Sequence, residues 1–224
     1  MTQITIQTPT GGALVFPDPA PIVRWFVSPG TGAYDAWART TPPNRVTSED
    51  ISALNRFARA RTPERYWAAV IADRRSVWLR ALSPSWDAAE TSEEEWAQED
   101  ISGRLEAAFG VLCGPHRGVS VASKLLHLKR PRLIPLLDAL VLEQLGVPVP
   151  GGDDNEARAA IAAELTTHLA AQARANAVPL AELKAELAAD GSDLSAIRLI
   201  DILLWSAHPA AGLRLPVERR VRFL

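Results

Sequence analysis

The stretch Gly114-Pro115-His116-Arg117-Gly118-Val119-Ser120-Val121-Ala122-Ser123-Lys124-Leu125-Leu126-His127-Leu128 reads as two helices joined by a tight turn. The first helix is expected to end near Cys113, because Gly114 and Pro115 interrupt any helical pattern. The second is expected to begin around Val119, where Ala122, Leu125 and Leu126 make an apolar stripe. Arg117, Ser120, Lys124 and His127 fall three or four residues apart on the other side. Such a hairpin presents backbone N–H groups at a helix N-terminus, where the helix dipole favours a phosphate. Gly118 has no Cβ to hold a phosphate away.

Helical signals extend on both sides of this turn. Upstream, Thr47-Ser48-Glu49-Asp50 supplies a hydroxyl cap and first-turn acids ahead of Ile51, Leu54 and Phe57. Thr62-Pro63-Glu64 predicts another start, leading through Tyr66, Trp67, Val70, Ile71, Val77 and Trp78 to Leu82. Ser92 followed by Glu95 is a capping-box pattern that opens a helix toward Leu105, Phe109 and Leu112. Downstream, Gly151-Gly152-Asp153-Asp154 predicts a loop and N-cap before an Ala-rich helix over 156–175. A short helix follows over 180–189. Ser192 or Asp193 then caps an apolar helix through Ile197, Leu199, Ile200, Leu203, Leu204 and Trp205, which is expected to be buried.

The first 46 residues are rich in Pro and Gly. Ile4–Gln7 and Ala13–Phe16 are β-prone but look too isolated for a sheet, a helix is expected to open over 22–27, and Pro29-Gly30 breaks it. The expected architecture is therefore an all-α bundle over 47–224, with an irregular N-terminal segment (1–46) packed on it.

Composition narrows the function classes. Of the 224 residues 47% are hydrophobic and 22% charged, a globular balance, and no apolar run is long enough to span a bilayer. The start MTQITIQTPT lacks the basic and apolar runs of a secretion signal. Cys113 is the only cysteine, which excludes an internal disulfide or a multi-cysteine cluster and suits a cytoplasmic setting. With His116, His127, His168 and His208 far apart, neither a metal nor another cofactor is expected. The net charge of −2 argues against coating nucleic acid by bulk attraction. Locally, however, residues 107–137 hold no acid but do hold Arg117, Lys124, Lys129, Arg130 and Arg132. This window reads either as an anion-binding surface or as solvated helix faces. The acidic cluster Glu93, Glu94, Glu95, Glu99 and Asp100 reads as a solvated face.

Gly118, Ala122 four residues on, and Pro135-Leu136-Leu137-Asp138 resemble the hairpin-and-aspartate element of the helix-hairpin-helix DNA glycosylases. In spacing the element is most similar to their adenine-specific branch. The resemblance implies a helix-hairpin-helix glycosylase-like bundle that binds DNA and acts in base excision repair. Asp138 would stabilise the oxocarbenium-like sugar as the N-glycosidic bond of a flipped base breaks. His116, Arg117, Gly118, Ser120, Lys124, Lys129, Arg130 and Arg132 would contact the DNA. Some of these enzymes carry a nucleophilic lysine two residues after the hairpin glycine. Ser120 stands there instead, which implies a monofunctional enzyme. His116 occupies the place of the first hairpin glycine. A second resemblance is longer. Tyr34-Asp35, Asn44-Arg45-Val46-Thr47, Ala122-Ser123-Lys124-Leu125-Leu126, Lys129-Arg130-Pro131-Arg132-Leu133-Ile134-Pro135, Arg198-Leu199-Ile200-Asp201 and Trp205 resemble an uncharacterised, mainly actinobacterial family.

Each residue also has a structural reading. Asp138 precedes a short helical segment stopped by Gly146, which is the pattern of an N-cap. Asp201, inside an apolar helix, needs a partner, and Arg198 one turn back is the expected one. Trp67, Trp78 and Trp205 are expected in the core, and Trp86 either plugs the core or stacks on a base. Two further functions therefore stay open beside the glycosylase: a non-catalytic DNA-binding module, and a helical protein-interaction domain in which the hairpin only packs. A cleft at Asp138 favours the enzyme, while an Asp138 used only as a surface cap removes it.

Overall fold

The computed structural model describes residues 2–27, 33–73, 75–114, 116–148 and 154–212. An antiparallel hairpin comes first, β1 (Ile4–Gln7) and β2 (Ala13–Phe16), with Ile4 opposite Phe16 and Ile6 opposite Leu14. Helices α1 (Ala20–Phe26), α2 (Ala33–Ala38) and α3 (Ser48–Phe57) follow. A 3-10 turn (Glu64–Trp67) leads to α4 (Ala68–Ala72), α5 (Val77–Arg80), α6 (Glu93–Gln98) and α7 (Ile101–Leu112). Beyond the hairpin turn lie α8 (Val119–Lys129), α9 (Ala139–Gln144) and α10 (Asn155–Ala175). The last elements are α11 (Ala177–Ala188), α12 (Ala196–Ala207) and α13 (Pro209–Gly212). The described residues are thus mainly helical, as the periodicity predicts.

Side-chain caps explain six of the helix starts among the described residues. Thr47 accepts the Asp50 N–H and the Asp50 carboxylate accepts the Thr47 N–H, closing a reciprocal box at the head of α3. Ser92, Asp138 and Asp154 cap α6, α9 and α10 by a single accepted N–H, so of the capping box expected at Ser92 and Glu95 only the Ser92 half is made. Three expectations shift. The helix opened by Ser92 is two helices, because Asp100 turns left-handed (φ 46°) and its carboxylate restarts the chain as the cap of α7. The helix expected from Thr62 to Leu82 breaks at Ser76 (φ 41°), where the Asp73 side chain ties down the Arg75 and Ser76 N–H groups. The apolar helix is capped by Ser195 rather than Ser192 or Asp193. The turn expected at Pro29-Gly30 and the loop at Gly151, Gly152 and Asp153 lie outside the described residues.

The N-terminal segment is not irregular. Its β-prone pieces pair, and helices finish the job that a lone two-stranded hairpin cannot do in water. Ile4, Ile6 and Phe16 are buried, β2 lies against α12, and the Asn176 side chain both accepts the Thr5 N–H (3.1 Å) and donates to the Thr5 carbonyl (2.8 Å). Gln172 accepts the Gln7 N–H (2.9 Å). These amides occupy the edge of β1, which would otherwise be open to pairing. The partners come from residues more than 160 positions away, so local sequence carries no trace of them.

At the centre, α12 is buried on every face except at Trp205 and packs against α1, α9, α10, α11 and α13, while α7 and α10 lie together along their length. Trp67, Trp78 and Trp86 are all core residues. No helix of the described residues is long and apolar enough to cross a membrane.

Two residues expected at a DNA surface belong to this interior. Lys129 and Arg130 are each only 2% exposed. The Lys129 ammonium donates to Asp50 (2.6 Å), Thr41 (2.7 Å) and the Pro42 carbonyl (3.1 Å). Arg130 donates to the carbonyls of Leu82, Leu79, Pro43 and Lys129 and to the Asn44 side chain, which uses all five of its donors. Neither has a donor left for a phosphate, and withdrawing either from its acceptors would strand buried polar groups. Asp50→Ala should destabilise the fold by about 3–5 kcal/mol, since it leaves the Lys129 ammonium unpaired. A urea midpoint shift checks this.

Candidate functional site

The hairpin forms as the sequence predicts. Gly114 and Arg117 exchange backbone hydrogen bonds (2.9 and 2.8 Å), and His116 takes the left-handed turn at φ 62°. Gly118 then starts α8, its carbonyl accepting from Val121 and Ala122. A Cβ at Gly118 would meet nothing within 4 Å, so packing does not demand a glycine there and the helix start is open. His116 is exposed and its ring lies 4.4 Å from that of Tyr66. Arg117 is half-buried and stacks over the Trp67 ring at 5.2 Å. Arg132 is half-exposed, but Asp87 (2.8 Å) and Glu90 (3.1 Å) hold it as a surface ion pair.

Asp138 is placed by the extended stretch that precedes it. The Ile134 carbonyl accepts from His127 Nδ1 (2.6 Å), the Leu136 N–H donates to Asp201 (2.8 Å) and the Leu137 N–H donates to Ser123 Oγ (3.1 Å). These three contacts come from α8 and α12, and they fix the chain up to the cap of α9. Asp138 itself accepts the Val141 N–H at 3.0 Å.

The same carboxylate lines a cleft of about 450 Å³. Trp25, Phe26, Tyr34 and Trp205 supply aromatic walls, and Lys124, Asp138, Arg198 and Asp201 supply the charge. Trp25 and Trp205 stack at 6.4 Å, with Phe26 edge-on to Trp205 at 5.5 Å. Trp205, expected in the core, packs against it only partly buried and also forms a wall of the cleft. Cap and cleft are not alternatives here: Asp138 accepts the Val141 N–H through Oδ1 and is also among the residues that line the cavity. Of the residues expected at the site, Lys124 and Asp138 meet in this cleft. His116, Arg117, Gly118 and Ser120 remain on the hairpin outside it.

Two of these lining residues, Arg198 and Asp201, belong to a buried ion-pair cluster. Arg198 is buried between Asp35, whose Oδ1 is 2.8 Å from Nε, and Asp201, its expected partner. His127 Nε2 stands 3.7 Å from Asp35, and the Tyr34 hydroxyl donates to the Lys124 carbonyl. Burial works against the Asp35 carboxylate, yet Arg198 and His127 beside it hold its pKa well below the usual range. Burial dominates at Asp201 and pushes it up to about 6 against the pull of Arg198. At Lys124 burial lowers the ammonium pKa, partly offset by Asp138. Among the described residues no three His, Cys, Asp or Glu side chains gather as a metal would require.

Sequence reasoning did not single out the rim. Arg56, Phe57, Ala58 and Arg59 also line the cleft, at the end of α3 and the start of the following loop. Arg59 (φ 51°) and Arg61 (φ 53°) both adopt the left-handed conformation, which costs a side-chain-bearing residue about 1–2 kcal/mol. Density of arginine between 56 and 65 was the available signal.

The fold and the site together describe a mainly helical protein with an aromatic cleft, lined by one amine, two carboxylates and three guanidinium groups. A family model, DUF6308, described as a family of unknown function, matches residues 28–208, and the chain belongs to that family. The match spans every residue on which the longer resemblance rests, from Tyr34 to Trp205. No curated protein and no solved structure matches the chain, so the glycosylase resemblance draws no support from those comparisons.

The cluster has a pH signature. Between the ordinary carboxylate value, 3.8, and about 6, folded Asp201 holds a proton that the unfolded chain has released. Its contribution to stability is therefore full below that window and is lost as the pH rises through it. Asp35 acts oppositely: its contribution is present above the ordinary range and is lost in stronger acid. Asp201→Asn should remove the pH 4–6 component, which unfolding curves collected across that window would reveal as a changed slope.

Proposed function

We propose that the protein binds DNA and cleaves the N-glycosidic bond of a nucleotide drawn into the Asp138 cleft, as a helix-hairpin-helix glycosylase would. One observation carries this reading: the aspartate singled out by the hairpin spacing lines a cavity walled by aromatic side chains. At about 450 Å³ that cavity falls within the roughly 300–1,000 Å³ span of small-molecule sites. Aromatic walls suit a base taken out of its stack. A carboxylate in a water-poor cleft stabilises positive charge developing on the sugar. The open start of α8, with Gly118 and Ser120, would receive a phosphate beside His116.

The lysine expected of a strand-cutting enzyme is absent at Ser120, which supports base release without a nick. Lys124, one helical turn on, does enter the cleft. Borohydride reduction during turnover distinguishes the two. No trapped adduct fits the monofunctional reading, whereas an adduct that disappears in Lys124→Met assigns the amine a covalent role.

A second reading has its own observation. The burial of Lys129 and Arg130, and the packing of Arg117 on Trp67, also suit a hairpin used only for packing in a helical interaction domain. That reading requires that the protein show no salt-dependent binding to DNA.

Substitution at Asp138 can separate chemistry from folding, because Asn caps a helix as well as Asp does. Asp138→Asn should keep the stability and the DNA affinity, yet lower base release by about 100-fold or more. Asp138→Ala should in addition cost about 1 kcal/mol of stability through the lost cap. The readout is alkaline cleavage of duplexes carrying a panel of modified and mismatched bases. Failure to form product on any of them would remove the catalytic part of the proposal.

A further inference from the structure

From the end of α3 into the 3-10 turn the chain carries Arg56, Arg59, Arg61 and Arg65, all exposed. The one acid in that segment, Glu64, accepts a hydrogen bond from Ser48 (2.7 Å), and among the described residues none of the four arginines is in an ion pair. The loop is nevertheless closed firmly at its base. The Asn55 side chain donates to the Thr62 carbonyl (3.0 Å) and accepts the Thr62 N–H (2.9 Å), while Ala60 N–H bonds back to Leu54 (3.2 Å).

Among the described residues, three of the five non-glycine positions with positive φ lie on this surface: Arg59, Arg61 and His116. Ser76 and Asp100 are explained by the helix starts they make, whereas no helix begins at Arg59 or Arg61. Strain at exposed, unpaired cations is the kind of outlier that points to a ligand. The rings continue the surface. Arg56 lies over Phe57 (5.3 Å), Arg65 over Tyr66 (4.9 Å), and Tyr66 meets His116 of the hairpin. Phe57 is 36% exposed, and with Arg56 and Arg59 it lines the cleft.

We infer that the loop over 56–65 is a backbone clamp that holds a DNA strand across the mouth of the Asp138 cleft, with Phe57 stacking where a nucleotide leaves the helix. This rests on the reading of that cleft given above. Unpaired guanidinium groups suit phosphodiesters in series, and cations interleaved with aromatic rings suit a strand with an exposed base. An anionic bilayer is a poorer partner, because this surface offers Phe57 as its large apolar contact and lacks the continuous apolar face that insertion needs.

Glycine adopts positive φ without strain, so Arg59→Gly with Arg61→Gly removes two charges while keeping the loop's shape. Binding is read by fluorescence anisotropy on a duplex with one unpaired nucleotide and on the fully paired duplex, between about 50 and 200 mM salt. The double variant should fold as the parent does, and should lose about 10-fold in affinity at low salt. The slope of log affinity against log salt should shrink by about 2, roughly one unit for each phosphate that is no longer neutralised. Phe57→Ala should weaken binding to the duplex with the unpaired nucleotide more than to the paired one. An unchanged affinity and slope would overturn the inference, as would tighter binding to vesicles of equal phosphatidylcholine and phosphatidylserine than to DNA. Weaker DNA binding without any base release keeps the clamp and removes the glycosylase. Undiminished base release by the double variant keeps the enzyme and removes the clamp.

Discussion

Arg198 is buried at the edge of the core where it lines the cleft, and the shape of the cleft depends on how its charge is met. A buried guanidinium is tolerated only when carboxylates and carbonyls take its donors. Asp35 on α2 and Asp201 on α12 do so here. Each carboxylate then has a free oxygen or a neighbour that passes the constraint outward. Asp201 holds the Leu136 N–H, and His127, beside Asp35, holds the Ile134 carbonyl. The extended stretch that delivers Asp138 to the cleft is thus fixed to the same cluster that joins the N-terminal helices to α12. Loss of one carboxylate would leave an uncompensated charge in the interior and loosen the candidate site along with the fold.

Lys129 and Arg130 work on the same physics at the other end of α8. Their donors gather the carbonyls of Pro42, Pro43, Leu79 and Leu82 around the helix terminus, where a positive charge also complements the helix dipole. A cation in this position satisfies loop carbonyls that would otherwise be buried without partners. The acid-free window therefore divides into two internal cations that fasten loops, Arg117 packed on Trp67, Lys124 in the cleft and Arg132 in a surface ion pair. The cationic surface facing the cleft comes mostly from elsewhere, from the loop after α3.

Asp138 shows why a structural and a chemical reading need not compete. A helix cap uses one lone pair of a carboxylate, and the group keeps its charge and its second oxygen. Fixing the side chain by the Val141 N–H also removes the rotamer freedom that a catalytic group must give up before it can act. Lys124, Arg56, Arg59 and Arg198 give the cleft more cationic than carboxylate side chains.

The local code was legible where neighbours in sequence decide the outcome. Thr47, Ser92, Asp138 and Asp154 are read correctly as caps because the N–H they accept lies three residues away. The hairpin at 114–117 and the Arg198–Asp201 pair are read correctly for the same reason. The chain alone also carried the mainly helical class and the membership of an uncharacterised family. What it did not carry is which side of a residue faces inward. The β1–β2 hairpin survives because α12 packs on β2 while Gln172 and Asn176 hold the edge of β1, and Lys129 and Arg130 are consumed by acceptors from residues 41–50 and 79–82. Trp205 became a cleft wall because Trp25 and Phe26 arrive beside it. These partners are set by tertiary packing over separations of about fifty to more than one hundred and sixty residues, a range at which periodicity and capping patterns carry no information.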